Sequence, residues 1–395
     1  MKPARRLLDI PSYPFARLSA LVAQAQGRGI DVIRLDIGNP DLPPAPAVLD
    51  TLCRSVGNAS HHGYSHHRGL RELRQAIADY YQRRFGVTLD PETQVIPLLG
   101  SKEGIVHMAQ AVLDPGDVAL VPDPGYAPYA MGAALAGAES YPLPLLPERG
   151  FLPDLNAVPE DIASGARLLW LNYPNNPTGA TADLDFFADA LDFARRHDIL
   201  LCHDAPYCDV TYNGYIAPSI LQIPGAIDTA IEFNSLSKTY NMAGWRVGMA
   251  VGNTEAVSAL GQVKSNVDSG IFRPVQDAAI TALSTNFNWI VARNQVYEER
   301  LRCVFATLQS LGMATTPPQA TLYAWARVPA GWETAESFAR DLLDHTGVVV
   351  APGSFFGPAG EGYVRLSVTA PTRQLQEAMK RLQSFVHEHD TVPYR

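Results

Sequence analysis

Short apolar runs that alternate with helical stretches are the feature that most restricts how this chain can fold. Runs of strand length cover residues 118–121, 168–171, 199–202, 230–234 and 246–251. Between the second and third runs, residues 184–197 place Leu184, Phe187 and Leu191 on one helical face. Strands that are apolar on both faces and alternate with helices are typical of a parallel sheet that helices cover on both sides. The sequence therefore predicts an α/β fold whose large domain has a mostly parallel sheet flanked by helices.

The two ends of the chain have a different character. The first 44 residues are rich in proline, which predicts an arm that wraps another part of the protein. A helix over residues 68–85 follows, with Gly86 as its stop. From about residue 290, a long helical stretch precedes strand-like runs at 323–328, 348–351 and 363–368, with a helix near 336–343. We expect an arm at 1–44 that is part of a small domain, a large domain at 45–285, and a small α+β C-terminal domain at 286–395.

Charge and cysteine content exclude several classes of protein. The formal net charge of −9 disfavours nucleic-acid binding, which needs a basic face, and gives no polybasic membrane anchor. The N-terminal residues have no apolar core of a secretory signal, and no apolar run is long enough to span a bilayer. The four cysteines (Cys53, Cys202, Cys208 and Cys303) form no CxxC pair, as expected of reduced thiols. The sequence predicts a cytoplasmic protein.

Polar side chains follow three of the apolar runs, at the edge of the predicted sheet where ligands bind. Asn172 to Gly179 follow the second run, His203 to Tyr207 the third, and Ser235 to Lys238 the fourth. A lysine just after a buried strand can act as an amine nucleophile, although a lone lysine there is more often a surface residue. An aspartate such as Asp204 at a buried strand end is costly unless it is paired. The convergence of these residues predicts a catalytic site.

The motifs at these strand ends resemble those of the class I/II aminotransferases, which are pyridoxal-phosphate (PLP) enzymes of fold type I. Ser235-x-Ser237-Lys238, followed by Gly244-x-Arg246-x-Gly248, is similar to the cofactor-lysine signature of that family. Asn176-Pro177-Thr178-Gly179 is similar to its Asn-Pro-x-Gly, and Asp204-x-x-Tyr207 to its Asp-x-x-Tyr. The motifs occur in the family's order, and the resemblance extends from about residue 37 to 368. It implies fold type I, a PLP cofactor and transamination.

The resemblance also implies a role for each matched residue. Lys238 would bind PLP as a Schiff base and then act as the base, and Asp204 would pair with the pyridine nitrogen. Tyr207 and Asn176 would bind the ring oxygen, and Tyr126 would stack on the ring. The phosphate would be held by Ser101, Lys102, Ser235, Ser237 and Arg246, and by Tyr64 of a neighbouring subunit, which implies a homodimer with shared active sites. Ser101 and Lys102 also begin a predicted helix, whose N-terminus favours phosphate. The substrate would contact Tyr13, Gly38, Lys102, Asn176 and Arg365.

The sequence constrains the identity of the substrate less than the type of reaction. The segments 100–105 and 122–126, with Tyr13 and Gly38, resemble the LL-diaminopimelate aminotransferase branch, with glutamate and 2-oxoglutarate as the second pair. Alanine or aspartate aminotransferases share much of this pattern. The sequence does not give the physiological donor and acceptor, the direction of flux, any assembly beyond a dimer, or whether the arm closes over substrate.

Other classes remain as alternatives. A PLP-dependent lyase or decarboxylase on the same fold would need the same lysine, aspartate and arginine. A non-catalytic PLP regulator would need a DNA-binding domain for which the arm is too short and not basic enough. Ser-Leu-Ser-Lys also matches the Ser-x-x-Lys of penicillin-binding enzymes, but their other motifs do not occur. His61, His62, His66 and His67 could bind a metal, but we favour a His-rich loop and predict no metal site.

Overall fold

A computed structural model describes Lys2 and residues 13–390 of the chain, so most of the predicted arm before Tyr13 lies outside the described residues. The strands, in chain order, are β1 (Ile33–Arg34), β2 (Val95–Leu98), β3 (Val118–Asp123), β4 (Glu139–Pro144), β5 (Ala166–Leu171), β6 (Leu200–Asp204), β7 (Ala230–Ser235), β8 (Gly248–Gly252), β9 (Tyr323–Arg327), β10 (Val348–Val349), β11 (Ala351–Pro352) and β12 (Tyr363–Ser367).

The α-helices in the same part of the chain are α1 (Pro14–Gly27), α2 (Pro46–Val56), α3 (Arg71–Phe85), α4 (Ser101–Val112), α5 (Pro128–Ala136), α6 (Glu160–Gly165), α7 (Leu184–Arg196), α8 (Leu236–Thr239), α9 (Thr254–Val267), α10 (Arg273–Leu283), α11 (Phe287–Ser310), α12 (Ala335–Thr346) and α13 (Thr372–Asp390). Short 3₁₀ turns connect several of them. None of these helices combines the length and the apolar character needed to cross a membrane.

A seven-stranded sheet in the order β2-β8-β7-β6-β5-β3-β4 forms the centre of the large domain. The strands β4, β3, β5, β6 and β7 are parallel, which confirms the predicted mostly parallel sheet. The predicted run 246–251 differs from the others, because β8 is antiparallel to both β7 and β2. This strand begins at Gly248, so Arg246 lies before it, in the left-handed backbone region with φ of 58°.

Helices cover both faces of this sheet because successive strand residues point to opposite sides. In β5, Leu169 and Leu171 pack into a core with α3, α7 and α10. Leu168 and Trp170 pack into a second core with α4, α5 and α9. Burial on both faces explains why this strand is apolar at nearly every position.

The C-terminal part of the chain forms a smaller α+β unit. Its three-stranded antiparallel sheet has the order β11-β12-β9 and packs with α11, α12 and α13. The N-terminal segment joins this unit, because β1 pairs in parallel with β10. The helix α11 contributes to both parts, with Ile290 in the large core and Tyr297 in the small one. The limits at residues 44 and 285 stay predictions.

Two local predictions were wrong. The predicted strand at 348–351 consists of two short strands in different sheets, because Val348 pairs with β1 while Ala351 pairs with β12. The predicted helix at 68–85 begins at Arg71, because Leu70 is its N-cap in extended conformation. Gly86 ends that helix in the left-handed conformation, as predicted.

Candidate active site

A cavity of about 500 Å³ lies at the carboxyl ends of β5, β6 and β7 and is closed on its other side by the small sheet. It brings together every predicted site residue except Tyr64. The predicted residues that line it are Tyr13, Gly38, Ser101, Lys102, Tyr126, Asn176, Asp204, Tyr207, Ser235, Ser237, Lys238, Arg246 and Arg365. The predicted convergence of three strand ends is thus confirmed.

Lys238 lies in the short helix α8, directly after β7. Ser235 ends the strand and caps this helix, because its Oγ accepts a hydrogen bond from the Ser237 N–H at 3.2 Å. The Lys238 amine donates to the carbonyl oxygen of Gly38. Burial lowers the pKa of Lys238, and the charges of Arg365 and Arg246 add to this effect while Tyr323 opposes it. The amine is therefore more readily neutral than an ordinary lysine, as a nucleophile requires.

Asp204 is the last residue of β6 and is 3% exposed. Its Oδ2 accepts a hydrogen bond from the Tyr129 hydroxyl at 2.7 Å, whereas its Oδ1 is buried without a partner among the described residues. Burial raises the pKa of Asp204 to about 6, against the opposing effect of the Tyr129 hydrogen bond. A buried carboxylate oxygen without a donor is costly, and a cationic N–H group in the cavity would satisfy it.

The N-terminus of α4 and the side chain of Arg246 form an anion-binding cradle. A Cβ atom at Gly100 would lie 2.1 Å from Arg246 Nη2, and one at Gly248 would lie 2.7 Å from the Ser101 backbone nitrogen. Gly100 also has a φ of 85°, which side chains rarely adopt, and at Gly248 the close atoms belong to the backbone, so both positions favour glycine. Free N–H groups at a helix N-terminus, together with a guanidinium group, suit a phosphate.

Arg365 projects from β12 and is 4% exposed. Its Nη1 donates to Asn176 Oδ1 at 2.6 Å, and its Nη2 donates to the Asp36 carbonyl oxygen at 2.5 Å. Its Nε is buried and has no partner within the described residues. These two bonds hold the guanidinium group in place, and it can donate two parallel hydrogen bonds to a carboxylate.

The substrate-contact residues on the N-terminal side are close to these charged groups. The Lys102 amine lies 4.9 Å from the centre of the Tyr13 ring. Burial and the nearby charge of Arg246 lower the pKa of Lys102. A Cβ atom at Gly38 would lie 2.0 Å from Tyr323 Oη, so this position also requires glycine.

Positive charge exceeds negative charge in the cavity. Lys102, Lys238, Arg246 and Arg365 line it, and none of them forms an ion pair within the described part of the chain. Two carboxylates line it as well, but Asp36 is paired with Arg34 at 2.5 Å. The cavity therefore suits ligands that carry several negative charges.

Several functional residues were missed by the sequence reasoning. Asn172 holds two predicted residues in place, because its Oδ1 accepts from the Asn176 N–H at 2.8 Å and its Nδ2 donates to the Asp204 carbonyl oxygen at 2.7 Å. A polar residue directly after an apolar run was the signal for it. The other missed residues that line the cavity include Phe15, Asp36, Tyr323 and Phe356, for which no motif gave a signal.

The geometry agrees with the similarity to known proteins. Residues 30–382 match the family described as aminotransferase class I and II. The chain belongs to this family. This aminotransferase is 49% identical over 385 residues to the LL-diaminopimelate aminotransferase of Dehalococcoides mccartyi, covering 98% of this chain and 99% of that enzyme. It is also 49% identical over 382 residues to the LL-diaminopimelate aminotransferase of Moorella thermoacetica, covering 97% and 98%.

Among solved structures, a substrate-bound structure of BacF from Bacillus subtilis has 37% identity and a TM-score of 0.93, and the match covers 98% of each chain. The predicted fold class and enzyme class are confirmed, and the cofactor of this aminotransferase is PLP. The residues fit that cofactor, because the unpartnered Asp204 Oδ1 suits a protonated ring nitrogen and the Gly100–Arg246 cradle suits a phosphate.

Tyr64 and the histidines near it lie outside the cavity. The Tyr64 side chain is 98% exposed. His61 Nδ1 lies 2.8 Å from Ser55 Oγ and 3.5 Å from Asp277 Oδ2, and the rings of His66 and His67 are 4.1 Å apart. The described residues contain one group of three possible metal ligands, Glu103, His107 and Asp268, and Lys264 forms ion pairs with both carboxylates of that group. The absence of a metal stays a prediction.

Replacing Asp204 by asparagine should change how the stability of the cofactor-free aminotransferase depends on pH. Because the pKa of Asp204 is about 6 in the folded protein and ~3.9 in an unfolded chain, the folded state binds the proton more tightly. The Asp204 carboxyl group therefore contributes most to the stability of the folded protein at low pH, and this contribution is lost as the pH rises through 6. The free energy of unfolding of the wild type, minus that of Asp204→Asn, should fall by roughly 2–3 kcal/mol between about pH 4 and 7.

Denaturant unfolding of both cofactor-free proteins at several pH values measures this difference. If this difference in unfolding free energy stayed constant with pH, burial would not raise the pKa of Asp204. Asp183→Asn is a suitable control, since Asp183 is the exposed N-cap of α7 and accepts from the Phe186 N–H at 2.8 Å.

Proposed function

We propose that this aminotransferase transfers the amino group of LL-diaminopimelate to 2-oxoglutarate, which yields glutamate. The observation that carries the proposal is the 49% identity, over nearly the whole chain, to enzymes with this activity in their names. The charges in the cavity support it. Lysine biosynthesis is the metabolic role that such a reaction would serve.

Both proposed substrates carry a carboxylate at each end, and the cavity offers a cationic group for each. Arg365 would bind the α-carboxylate, and its position is fixed by Asn176 and the Asp36 carbonyl oxygen. Lys102 would bind the distal carboxylate, since its partly exposed side chain lines the cavity and forms no ion pair among the described residues. A substrate with one carboxylate would leave Lys102 without an anionic partner, so it would gain less from the positive charges of the cavity.

The proposed mechanism assigns proton transfers to two side chains. When bound, PLP withdraws electrons from the substrate Cα and weakens its C–H bond. Lys238 Nζ, whose pKa is lowered by burial, would take the proton from the substrate Cα as the general base and later donate it again as the amino group is transferred. Asp204 Oδ1, which is buried without a partner among the described residues, would accept a charge-assisted hydrogen bond from the protonated ring nitrogen. Tyr207 and Asn176 would orient the ring oxygen, and Tyr126 would pack on the ring. The phosphate would be held by Ser101, Lys102, Ser235, Ser237 and Arg246.

We also propose a homodimer with shared active sites. The support is Tyr64, which is exposed at 98% although its predicted role is to bind a phosphate. In a dimer, this tyrosine would reach the cradle of the neighbouring subunit. A cytoplasmic location is supported by the four free cysteines.

Alanine or aspartate aminotransferase is the alternative within the family. Aspartate would satisfy both Arg365 and Lys102, whereas alanine would satisfy Arg365 alone. A lyase or decarboxylase on the same fold differs in needing no 2-oxo acid as co-substrate.

A half-reaction tests the proposal. The holoenzyme is mixed in turn with LL-diaminopimelate, glutamate, aspartate and alanine, without any oxo acid, and the visible absorption band of the bound cofactor is followed. We expect this band to be replaced by that of the aminated cofactor, fastest with LL-diaminopimelate. A faster reaction with aspartate or alanine would assign the enzyme to that alternative. No change with any donor would contradict transamination of these substrates and favour the lyase.

Replacing Lys102 by glutamine should weaken the enzyme selectively toward dicarboxylic substrates. The value of kcat/KM for glutamate should fall roughly tenfold to hundredfold, as expected for the loss of one charged hydrogen bond. Because Lys102 also lies near the phosphate cradle, alanine is the reference substrate, and the ratio of the two kcat/KM values is the measurement. An equal fall for both substrates would assign Lys102 to the cofactor alone.

A further inference from the structure

Tyr323 begins β9, and its side chain lies between two groups of the active site. It is 3% exposed and lines the cavity. Its hydroxyl lies 2.7 Å from the Tyr207 hydroxyl, and its ring centre lies 4.1 Å from Arg365 Cζ. One side chain therefore contacts both the tyrosine assigned to the cofactor and the arginine assigned to the substrate carboxylate.

The surroundings leave the Tyr323 side chain little freedom. The rings of Tyr207 and Tyr323 meet at 73° with their centres 5.5 Å apart. On another side, the backbone of Gly38 is so close that an added Cβ would lie 2.0 Å from Tyr323 Oη. The hydroxyl is thus held beside Tyr207 by packing as well as by the hydrogen bond.

The charges around Tyr323 act on its hydroxyl. The titratable groups that face it all belong to the cavity and are Arg365, Lys238, Tyr207, Tyr13 and Tyr126. Burial alone would raise the pKa of Tyr323, but Arg365, Lys238 and the hydrogen bond with Tyr207 outweigh it and lower the pKa. Burial raises the pKa of Tyr207. The two tyrosines are therefore coupled through their hydroxyl groups.

We propose that Tyr323 is a positioning residue that holds Tyr207 through its hydroxyl and Arg365 through its ring. The second half of this statement rests on the carboxylate-binding role proposed above for Arg365. Because different atoms of Tyr323 serve the two partners, substitutions can separate the two functions. Tyr323→Phe removes the hydroxyl and keeps the ring, whereas Tyr323→Leu removes both.

Two measurements on the holoenzyme test the proposal. The first is the pH midpoint at which the visible band of the bound cofactor changes. In Tyr323→Phe, Tyr207 is held less firmly against the ring oxygen whose negative charge it stabilises, so the midpoint should rise by about 0.5–1 pH unit. The second is the Kd of glutarate, an unreactive dicarboxylate, measured by calorimetry. It should stay within about twofold in Tyr323→Phe and rise roughly fivefold to thirtyfold in Tyr323→Leu, because the arginine loses its aromatic support.

Tyr363→Phe is the matched control, since it removes a tyrosine hydroxyl from the neighbouring strand β12, where Tyr363 stacks on Trp325. It should change neither measurement. An unchanged midpoint in Tyr323→Phe would overturn the hydroxyl function. Equal glutarate affinity in the wild type and Tyr323→Leu would overturn the ring function. Failure of the wild type to bind glutarate would instead reject the role of Arg365, and with it the ring function, while the midpoint still decides the hydroxyl function.

Discussion

Replacing Lys238 by alanine should reduce kcat by more than about 10⁴-fold, because one side chain supplies both the nucleophile and the base. The structure gives the reason that no other group substitutes for it. Lys238 Nζ is buried beside the Gly38 carbonyl oxygen, whereas Lys102, the other lysine of the cavity, is exposed beside the Tyr13 ring. Arg365 and Arg246 are guanidinium groups that stay protonated in proteins.

The fold of the Lys238→Ala protein should be retained. The amine is desolvated without an ion-pair partner among the described residues, so its removal costs little stability. Circular dichroism and thermal unfolding of the cofactor-free protein check this point, and borohydride treatment of the holoenzyme should no longer attach the cofactor to the chain. Lys380→Ala, at an exposed position of α13, is the control. Activity near the wild-type level in Lys238→Ala would reject the assignment.

Replacing Arg365 by lysine should lower kcat/KM for LL-diaminopimelate by about 10²–10³-fold, mainly through KM. Lysine keeps the positive charge but loses the planar pair of donors, so it cannot hold Asn176 Oδ1, the Asp36 carbonyl oxygen and a carboxylate together. Steady-state kinetics at several substrate concentrations separates KM from kcat.

Two controls show whether the effect of Arg365→Lys is specific to substrate binding. Arg327→Lys changes an exposed arginine on the paired strand β9 and should leave the kinetics unchanged. Circular dichroism of both variants should match that of the wild type, which excludes a general loss of the fold. A loss of kcat with an unchanged KM would contradict a substrate-binding role.

Local rules predict the part of the site at the strand ends of the large sheet, whereas Arg365, Tyr13 and Gly38 were predicted only from the resemblance to a known family. Lys238 and Asp204 follow apolar runs, and a parallel sheet brings its carboxyl ends to one edge, so their proximity follows from the pattern. Asn172 could have been found by the same rule. The sheet was predictable because burial on both faces leaves a continuous apolar signature.

Apart from Asn172, the missed residues named above come from the small unit and the N-terminal segment. Tyr323 begins a strand of the small sheet, and Asp36 follows β1, which pairs with β10 more than 300 residues along the chain. These residues reach the cavity only because the two hydrophobic cores pack together. No local sequence pattern encodes how the cores are arranged. The same packing splits the predicted strand at 348–351, because its two halves find partners in different sheets.

The backbone from Asp36 to Gly38 has a consequence for how this enzyme can diversify. The Asp36 carbonyl oxygen accepts from Arg365, and two residues later the Gly38 carbonyl oxygen accepts from Lys238. A displacement of this tripeptide would therefore disturb substrate anchoring and the reactive amine at the same time. New specificities are accordingly easier to reach by exchanging side chains on α1 and at Lys102, which alter the cavity walls, than by inserting or deleting residues between β1 and α2.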